Sequence, residues 1–304
     1  MGIIFGPINS RRFGKSLGID LSPNRKQCNF DCLYCELKPS KVIDRYLDII
    51  DIDEVKKELD IALKRYSDIS VITVTANGEP TLYPYLDKLI DYINMVKGDK
   101  KSLILSNSST IDKIETQNSL LKFDIVKLSL DCATKRCLKR LDRAEKSINI
   151  DSIKRGILEF KKEFKNRLVI EILFVKGIND NRDEILKLNQ FLEKLNPARV
   201  DIGSIDRPPA YRVKPLSYRE LREISLKFNP RLPINIVSRK NIDIRPSYYS
   251  KEQILDTLKK RPLTREDIEV LFDKKSRENL DDLLQKGNIE SIERLNYTFF
   301  TIKS

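Results

Sequence analysis

The chain has 304 residues, 40% of them hydrophobic, which is enough for one large and one small domain but includes no apolar stretch approaching a membrane span. It contains no histidine, which excludes histidine-based triads, histidine-ligated zinc and imidazole general bases. The 57 Lys and Arg against 45 Asp and Glu give a net charge of +12, which favours a polyanionic partner.

Apolar, β-branched segments alternate with amphipathic segments in the first two thirds of the chain, a pattern typical of βα units and a parallel sheet. Strands are predicted at Ser16–Leu21, Ile69–Thr75, Ser102–Leu105, Ile125–Leu130, Leu168–Val175 and Val200–Ile205. Helices are predicted at Ile52–Tyr66, Tyr83–Val96, Thr110–Leu121, Asp151–Phe164 and Asp183–Leu195. Asp51 and Asp53 are candidate N-caps of the first helix, and Asp151 of the fourth. The predicted fold class is therefore α/β, with six βα units in a partial (β/α)6 barrel.

Polar loop residues follow several of these strands, at the end where α/β barrels place their chemistry. A segment with three cysteines follows the first predicted strand. The polar residues that follow or close the next three strands are Asn77, Gly78, Glu79, Asn107, Ser108, Ser129 and Asp131. We expect all of them at one rim of the barrel.

The pattern changes after about residue 206, where prolines bound short segments up to residue 245, and again at Lys251. Three short helices carry apolar stripes, and two strands, Ile289–Arg294 and Tyr297–Ile302, are joined at Leu295-Asn296. The stripes are Ile254, Leu255 and Leu258; Ile268, Leu271 and Phe272; and Leu280, Leu283 and Leu284. We predict a core at residues 1–245, with an irregular extension from about 206, and a small winged helix-turn-helix domain at residues 248–304.

Cys28, Cys32 and Cys35 place three of the five cysteines within eight residues. Three thiolates at this spacing can bind three corners of an iron–sulfur cube and leave the fourth iron without a protein ligand, which indicates catalysis. A zinc site would need a fourth ligand that no nearby Cys or His supplies, and simple burial is the other alternative. The N-terminus lacks the features of a secretory signal, so we expect a cytoplasmic protein, where clustered cysteines are more often ligands than disulfide partners.

This spacing resembles the cluster signature of the radical S-adenosylmethionine (radical SAM) superfamily, with Tyr34 at the family's aromatic position before the last cysteine. The resemblance implies a 4Fe–4S cluster on Cys28, Cys32 and Cys35. It also implies that S-adenosylmethionine (SAM) chelates the open iron and is cleaved by one electron to a 5′-deoxyadenosyl radical. An electron donor such as flavodoxin or ferredoxin follows from that chemistry.

Gly78-Glu79-Pro80 is similar to the glycine–glutamate motif of the same superfamily, with Asn77 where a glycine is often found. The resemblance implies that the Glu79 carboxylate and nearby carbonyls accept hydrogen bonds from the methionyl ammonium group. An ordinary turn is the alternative reading. Candidates for holding the ribose hydroxyls or the methionyl carboxylate, or for capping the helices that follow, are Asn107, Ser108, Ser129 and Asp131.

Two further segments, Asn9–Asp20 before the cysteine loop and Arg207-Pro208-Pro209-Ala210, restrict the resemblance to one group within the superfamily. Together with the cysteine loop they look like a group of radical SAM proteins classed with wyosine-type tRNA-modification enzymes, over roughly residues 3–245. The net charge and the added winged helix both favour RNA, and tRNA in particular, as the partner. The C-terminal segment is not part of the wyosine-forming enzymes.

The sequence allows two interpretations for each of three further features. Cys132 and Cys137 are buried apolar residues or ligands of a second cluster. The cations from Lys135 to Arg143 form a solvated helix face or a phosphate-binding surface. Lys274, Lys275 and Arg277 open the predicted third helix of the winged helix, which contacts nucleic acid or docks protein.

Three functions remain at this point. The first is a radical SAM enzyme that modifies RNA, and the second keeps the chemistry but acts on a small molecule or a peptide. The third is a noncatalytic iron–sulfur sensor that drives a DNA-binding winged helix. The Glu79 motif and the barrel argue against the sensor, because a sensor has no need of a chelated cosubstrate.

Overall fold

One eight-stranded sheet forms the scaffold of the molecule. The computed structural model describes residues 2–10, 13–236, 246–260, 262–294 and 297–303. The strands are β1 (Ile4–Ser10), β2 (Gly14–Asp20), β3 (Val71–Thr75), β4 (Lys101–Ser106), β5 (Ile125–Ser129), β6 (Arg167–Phe174), β7 (Arg199–Ser204) and β8 (Ile234–Ile236). They lie side by side in chain order; β1 is antiparallel to β2, and all other neighbours are parallel.

The six predicted strands are all present and parallel, with bounds shifted by at most two residues. Two strands were not predicted. β1 contains Gly6 and Pro7, which resemble turn material, and β8 has only three residues. The sheet is therefore larger than the six-unit arrangement expected from the sequence.

Helices connect the parallel strands and cover the sheet. They are α1 (Ile52–Arg65), α2 (Leu86–Val96), α3 (Ile114–Leu121), α4 (Lys135–Cys137), α5 (Ile150–Glu163), α6 (Arg182–Leu195) and α7 (Tyr218–Ser225). A 3-10 turn spans Pro80–Leu82, and a π turn, Leu138–Asp142, continues α4. α4 and α7 were not predicted, and α7 lies within the irregular extension.

N-cap residues were predicted for two helices, and the structure confirms one of the two predictions. Asp51 caps α1, and its carboxylate accepts a hydrogen bond from the Asp53 N–H. The prediction for α5 is wrong, because Asn149 is the cap and accepts from the N–H of Asp151 at 2.9 Å. Asp53 and Asp151 instead lie in first turns, where their negative charge suits the helix dipole.

The core lies between the sheet and its helices. Strand residues such as Leu17, Val74, Ile104, Val126 and Ile170 are almost fully buried. Strands covered in this way are typical of parallel sheets, and they hold the strand ends rigidly. Because β2 to β7 run parallel, the loops at their carboxyl ends meet at one rim of the sheet.

The C-terminal elements have a separate hydrophobic cluster. They are α8 (Lys251–Lys260), β9 (Leu263–Thr264), α9 (Arg265–Leu271), α10 (Lys274–Gln285), β10 (Ile289–Arg294) and β11 (Tyr297–Ile302). The predicted three helices and two strands are confirmed, and β9 completes an antiparallel sheet in the order β10-β11-β9. The cluster includes Ile254, Leu263 and Phe272. The Asn9 amide of β1 donates a hydrogen bond of 2.9 Å to the Ser247 hydroxyl and so ties this segment to the sheet.

Some predicted features lie outside the described residues: Arg11 and Arg12 of the segment Asn9–Asp20, the Leu295-Asn296 turn, and residues 237–245, which contain the end of the predicted core. Among the helices that the structure describes, none has both the length and the apolar character that crossing a bilayer requires.

Candidate active site

The three clustered cysteines line one cavity of about 290 Å³ at the rim where the parallel strands end. They lie in the loop between β2 and α1, are unbonded to other cysteines, and are partly exposed. The other residues of the wall are Lys26, Phe30, Tyr34, Glu36, Leu37, Ala76, Gly78, Asn107, Leu173, Ile205, Asp206 and Arg207. The structure thus brings together Cys28, Cys32, Cys35, Tyr34, Gly78 and Asn107 as the sequence predicted.

Gln27, directly before the first cysteine, fixes the loop. Its side-chain oxygen accepts from the N–H groups of Leu47 and Asp48 at 2.8 and 2.9 Å. Its side-chain nitrogen donates to the Asp48 carbonyl and the Ser22 hydroxyl at 2.8 and 2.9 Å. All four hydrogen bonds of this buried amide are made, so the start of the cysteine loop is held rigidly.

Gly78 lies against the backbone of Gln27 and joins the cysteine loop to the loop after β3. The Gln27 N–H donates to the Asn77 carbonyl at 2.9 Å, and the Glu79 N–H donates to the Gln27 carbonyl at 3.0 Å. Gly78 has φ of +148°, and a Cβ built on it would lie 1.8 Å from the Gln27 carbonyl oxygen. Only glycine fits here. Asn77 does not line the cavity; its N–H donates to Asp20 at 2.9 Å.

Glu79 does not line the cavity: its carboxylate lies behind the wall, whereas the sequence predicted that it faces the ligand. The side chain is 1% exposed. Its Oε1 accepts from the N–H and hydroxyl of Thr81 and from the Ser106 hydroxyl, at 3.1, 2.6 and 2.8 Å. Its Oε2 accepts from the Asn107 N–H at 2.6 Å. Burial raises the pKa of Glu79, while these hydrogen bonds oppose that shift. The carboxylate caps the 3-10 turn and shapes the wall from behind.

Asn107 is the polar side chain that reaches the first cysteine. Its amide nitrogen donates to the Cys28 sulfur at 3.6 Å and to the Asn29 side-chain oxygen at 2.9 Å. Ser108 and Ser129 are not part of this cavity wall. The Ser108 hydroxyl donates to the Ser129 carbonyl at 2.7 Å, which joins the loops after β4 and β5. This contact is not the helix cap that the sequence left open, because Lys113 and Thr134 are the cap residues of α3 and α4.

Asp131 supports Tyr34 from below the cavity and does not line it. The Tyr34 hydroxyl donates to one carboxylate oxygen of Asp131, and the Leu173 N–H donates to the other at 2.7 Å. Burial raises the pKa of Asp131 to about 7. Asp142, which the sequence did not indicate, lies beside it and is hydrogen-bonded to the Cys32 thiol; burial and the charge of Asp131 raise its pKa.

Asp131→Asn is expected to stabilise the metal-free protein above pH 7 by about 1 kcal/mol or more. In the parent, the raised pKa means that the folded state holds a proton which the unfolded state has released, so stability falls as pH rises from about 4 to about 7. The amide cannot ionise, yet it can accept from Leu173 and donate to Tyr34. Urea unfolding between pH 5 and 8 measures the difference in the free energy of unfolding between Asp131→Asn and the parent. Equal stability of the two proteins at pH 8 would contradict it.

The cysteines suit a metal cluster chemically. Burial raises the pKa of all three thiols, that of Cys28 to about 12 and that of Cys32 well above its usual value, and Lys26 partly offsets the rise at Cys35. Thiols of this kind give up their protons when a metal binds. Within the described ranges, no three Cys, Asp or Glu side chains are grouped around one point as ligands of a single ion. A four-iron cluster instead takes each thiolate on a separate iron, so the donor set fits it.

Cys132 and Cys137 form a disulfide, which the sequence did not predict. Both are buried, as expected for the apolar interpretation. In this disulfide state neither sulfur is free to ligate, which does not support the second-cluster interpretation. The bond spans the start of α4, next to Asp131.

Comparison with known proteins identifies the family. A family model for the radical SAM superfamily matches residues 26–188, more than half of the chain and all three clustered cysteines. The chain belongs to the radical SAM superfamily. It is therefore an enzyme, and its cofactors are the 4Fe–4S cluster and SAM that radical SAM proteins use.

The chain is similar to a UPF0026 protein, a tRNA 4-demethylwyosine synthase and a radical SAM methyltransferase. A UPF0026 protein of Helicobacter pylori (strain J99) is 39% identical over 94% of this chain and 93% of its own length. The tRNA 4-demethylwyosine synthase of Methanocaldococcus jannaschii is 29% identical over 136 residues, 44% of this chain and 39% of that protein. A radical SAM methyltransferase from Sphaerobacter thermophilus shares the fold, with a TM-score of 0.57 at 15% identity over 75% of this chain and 68% of that chain.

Sequence reasoning missed several residues of this site. Gln27, Asp142 and Glu36 carry no local signal, because their partners are distant in the chain or lie in the backbone. Arg207 entered only as part of a resemblance, but it lines the cavity and forms an ion pair with Glu36. Lys26 could have been noticed, since a cation two residues before a cysteine cluster offsets thiolate charge.

Proposed function

We propose that Cys28, Cys32 and Cys35 hold the cluster and that SAM occupies the cavity they share with Gly78 and Asn107. The observation that carries this proposal is the convergence of three free thiols and the Gly78 loop on one cavity. When bound, the cluster supplies the electron that cleaves the sulfonium of SAM. Tyr34 adds an apolar ring to the wall and limits the access of water.

The residues around the cysteines prepare the site for that chemistry. The Phe30 N–H donates to the Cys28 sulfur at 3.4 Å, and Asn107 donates to the same atom. Lys26 adds a buried positive charge beside Cys35 and is held by Asp31 at 3.0 Å. Donors and cations at the sulfurs stabilise their ionised form. Gly78 presents no side chain, which leaves room for a ligand to approach the backbone closely.

Glu79→Ala is expected to weaken SAM binding by roughly 10-fold and to lower the free energy of unfolding by about 2–4 kcal/mol, while the cluster is retained. The change leaves four donors without their acceptor: two on Thr81, and one each on Ser106 and Asn107. Glu79 is thus a positioning residue. Equilibrium binding of SAM, iron content and urea unfolding measure the three effects. Glu79→Gln keeps one side-chain oxygen, so its SAM affinity and stability should lie between those of the parent and Glu79→Ala. Parental SAM affinity in Glu79→Ala would refute this role.

We infer that the substrate is RNA, with tRNA the preferred class. The excess positive charge lies entirely in the first 245 residues, because residues 246–304 carry 11 Lys and Arg against 11 Asp and Glu. A basic catalytic body suits a polyanion. The partial similarity to a tRNA 4-demethylwyosine synthase supports the same class. An electron donor such as flavodoxin or ferredoxin, and a cytoplasmic location, fit this chemistry.

The test of the RNA proposal compares modified nucleosides in cells with and without the gene. We expect at least one nucleoside of the tRNA fraction to disappear on deletion and to return when the parent gene, but not a Cys32→Ala gene, is supplied. Identical profiles would refute the proposal and favour the small-molecule or peptide alternative.

We propose a core at residues 1–245 and a winged helix at residues 248–304. Three helices, the hairpin β10–β11 and the short strand β9 around their own hydrophobic cluster support this division. Lys274, Lys275 and Arg277 do open α10. The balanced charge of the segment, however, favours a structural or protein-docking role over a nucleic-acid role.

A further inference from the structure

A run of exposed cations, here called the basic segment, lies in the connection between β5 and α5. It spans residues 135–146. Its exposed residues are Lys135, Arg136, Lys139, Arg140, Arg143 and Lys146. Cys137, Leu138 and Leu141 point inward and are buried. The segment therefore anchors itself with its apolar side chains and presents positive charge to solvent.

The basic segment is bonded directly to the cysteine loop. The N–H groups of Asp31 and Leu33 donate to the carbonyls of Asp142 and Leu141 at 3.0 and 2.9 Å. The Glu145 N–H donates to the Asn29 carbonyl at 2.9 Å. Backbone bonds on both sides of Cys32 fix the distance between these cations and the cavity. A molecule held by the segment would thus lie beside the site of radical formation.

Most of these charges are not neutralised. Arg136, Lys139 and Arg140 form no ion pair with any acidic side chain that the structure describes. Lys135 approaches Asp151 only at 3.8 Å, and both are exposed, so the pair is worth little. The absence of local partners leaves a concentrated positive potential next to the cavity mouth.

Arg143 connects the basic segment to the loop that follows β7. Its guanidinium lies 4.7 Å from the ring centroid of Tyr211 and 3.5 Å from the Asp31 carboxylate. The Tyr211 hydroxyl donates to that same carboxylate. The cation–π contact orients one arginine at the rim, where its remaining donors face solvent.

The chemistry of the surface favours phosphates over a protein partner. Stable protein interfaces are centred on exposed apolar or aromatic anchors. None of the large exposed hydrophobic residues among the described ones belongs to the basic segment. Binding of a nucleic-acid backbone requires only cations and hydrogen-bond donors, which the segment supplies.

We propose that the basic segment is the surface on which RNA phosphates dock, so that the nucleotide to be modified reaches the cysteine cavity while the C-terminal segment contributes little to affinity. This rests on the proposed RNA substrate. It assigns the binding surface to residues bonded to the cysteine loop.

The test uses the full-length, cluster-loaded protein and unfractionated tRNA. Arg136→Glu, Lys139→Glu and Arg140→Glu are combined in one variant. A first matched variant reverses Lys162, Lys165 and Arg167, which are exposed near the amino end of β6, away from the cavity. A second reverses Lys274, Lys275 and Arg277 of α10. A further variant changes the same three basic-segment residues to glutamine, which removes their charge without reversing it and so controls for effects of reversed charge on folding.

We expect the basic-segment variant to bind tRNA about 100-fold more weakly at 0.1 M salt, with a salt dependence of log K shallower by about 2.5, as for the loss of three phosphate contacts. The glutamine variant should show a smaller loss in the same direction, and the two matched variants should bind within about 3-fold of the parent. All should form 5′-deoxyadenosine from SAM equally well with dithionite and no RNA.

Other outcomes overturn the proposal in distinguishable ways. Parental tRNA affinity in the basic-segment variant, or loss confined to the α10 variant, would refute the assigned surface but leave an RNA substrate intact. If tRNA binding persists while turnover fails only with flavodoxin as donor, the segment docks an acidic protein and the proposal is wrong. No tRNA binding by the parent, together with unchanged nucleoside profiles, would refute both this proposal and the proposed function.

Discussion

Cys32→Ala is expected to reduce bound iron after anaerobic reconstitution from about four atoms per chain to near zero, and to abolish the visible absorbance of the cluster. Cys32 is the middle ligand of the loop and lies over Asp142. Without it, two thiolates remain on a loop whose backbone is fixed on both sides, so no other side chain can move into its place. Formation of 5′-deoxyadenosine should be lost with the iron.

The matched control removes two other sulfurs from the same rim. Cys132→Ala combined with Cys137→Ala deletes the disulfide next to Asp131 and leaves the three loop cysteines unchanged. That protein should keep its iron. Near-normal iron in Cys32→Ala, or its loss in the double variant alone, would mean that the cluster is bound elsewhere.

Gly78→Ala is expected to lower 5′-deoxyadenosine formation by at least 100-fold, with a large part of the loss in SAM binding. The new methyl group would overlap the Gln27 carbonyl oxygen, which lies 1.8 Å from the position of its Cβ. Backbone on both sides prevents an easy adjustment, so the two hydrogen bonds that join Gln27 to residues 77 and 79 must break. The wall of the cavity and the start of the cysteine loop then move together.

Gly177→Ala is the matched control for backbone strain. Gly177 also has a positive φ, +73°, but a Cβ there would meet nothing within 4 Å. It should therefore show only the modest cost of an alanine in the left-handed region, with near-parental activity. Isothermal titration with SAM and product analysis by chromatography compare the two variants. Similar behaviour of both would show that close contact with Gln27 has no role in the site.

The sequence predicted best the features that are local in the chain. The spacing of Cys28, Cys32 and Cys35 is contained in one loop, so it could be read directly. The apolar content of strands such as β6 marked all six parallel strands, because each is buried on both faces. Gly78 was identified as a motif residue, although its physical reason, the carbonyl of Gln27, became visible only in three dimensions.

Features that depend on distant partners could not be predicted. Glu79 has the residue type of an ammonium acceptor, but Ser106 and Asn107 satisfy it from another loop. Asp142 lies against Cys32 across more than 100 residues of chain. The net charge did not indicate which surface is basic, whereas the structure places the cations Arg136, Lys139 and Arg140 in a segment that is hydrogen-bonded to the cysteine loop. Composition gives the amount of charge and not its location.

The most direct test of the account is the incubation of the anaerobically reconstituted, reduced protein with SAM, followed by quantitation of 5′-deoxyadenosine. We predict that 5′-deoxyadenosine forms only with both reductant and cluster, and that it is absent with Cys32→Ala. A protein that takes up and reduces its cluster but leaves SAM intact would contradict the assignment of the cysteine cavity as a catalytic site and would favour an iron–sulfur sensor.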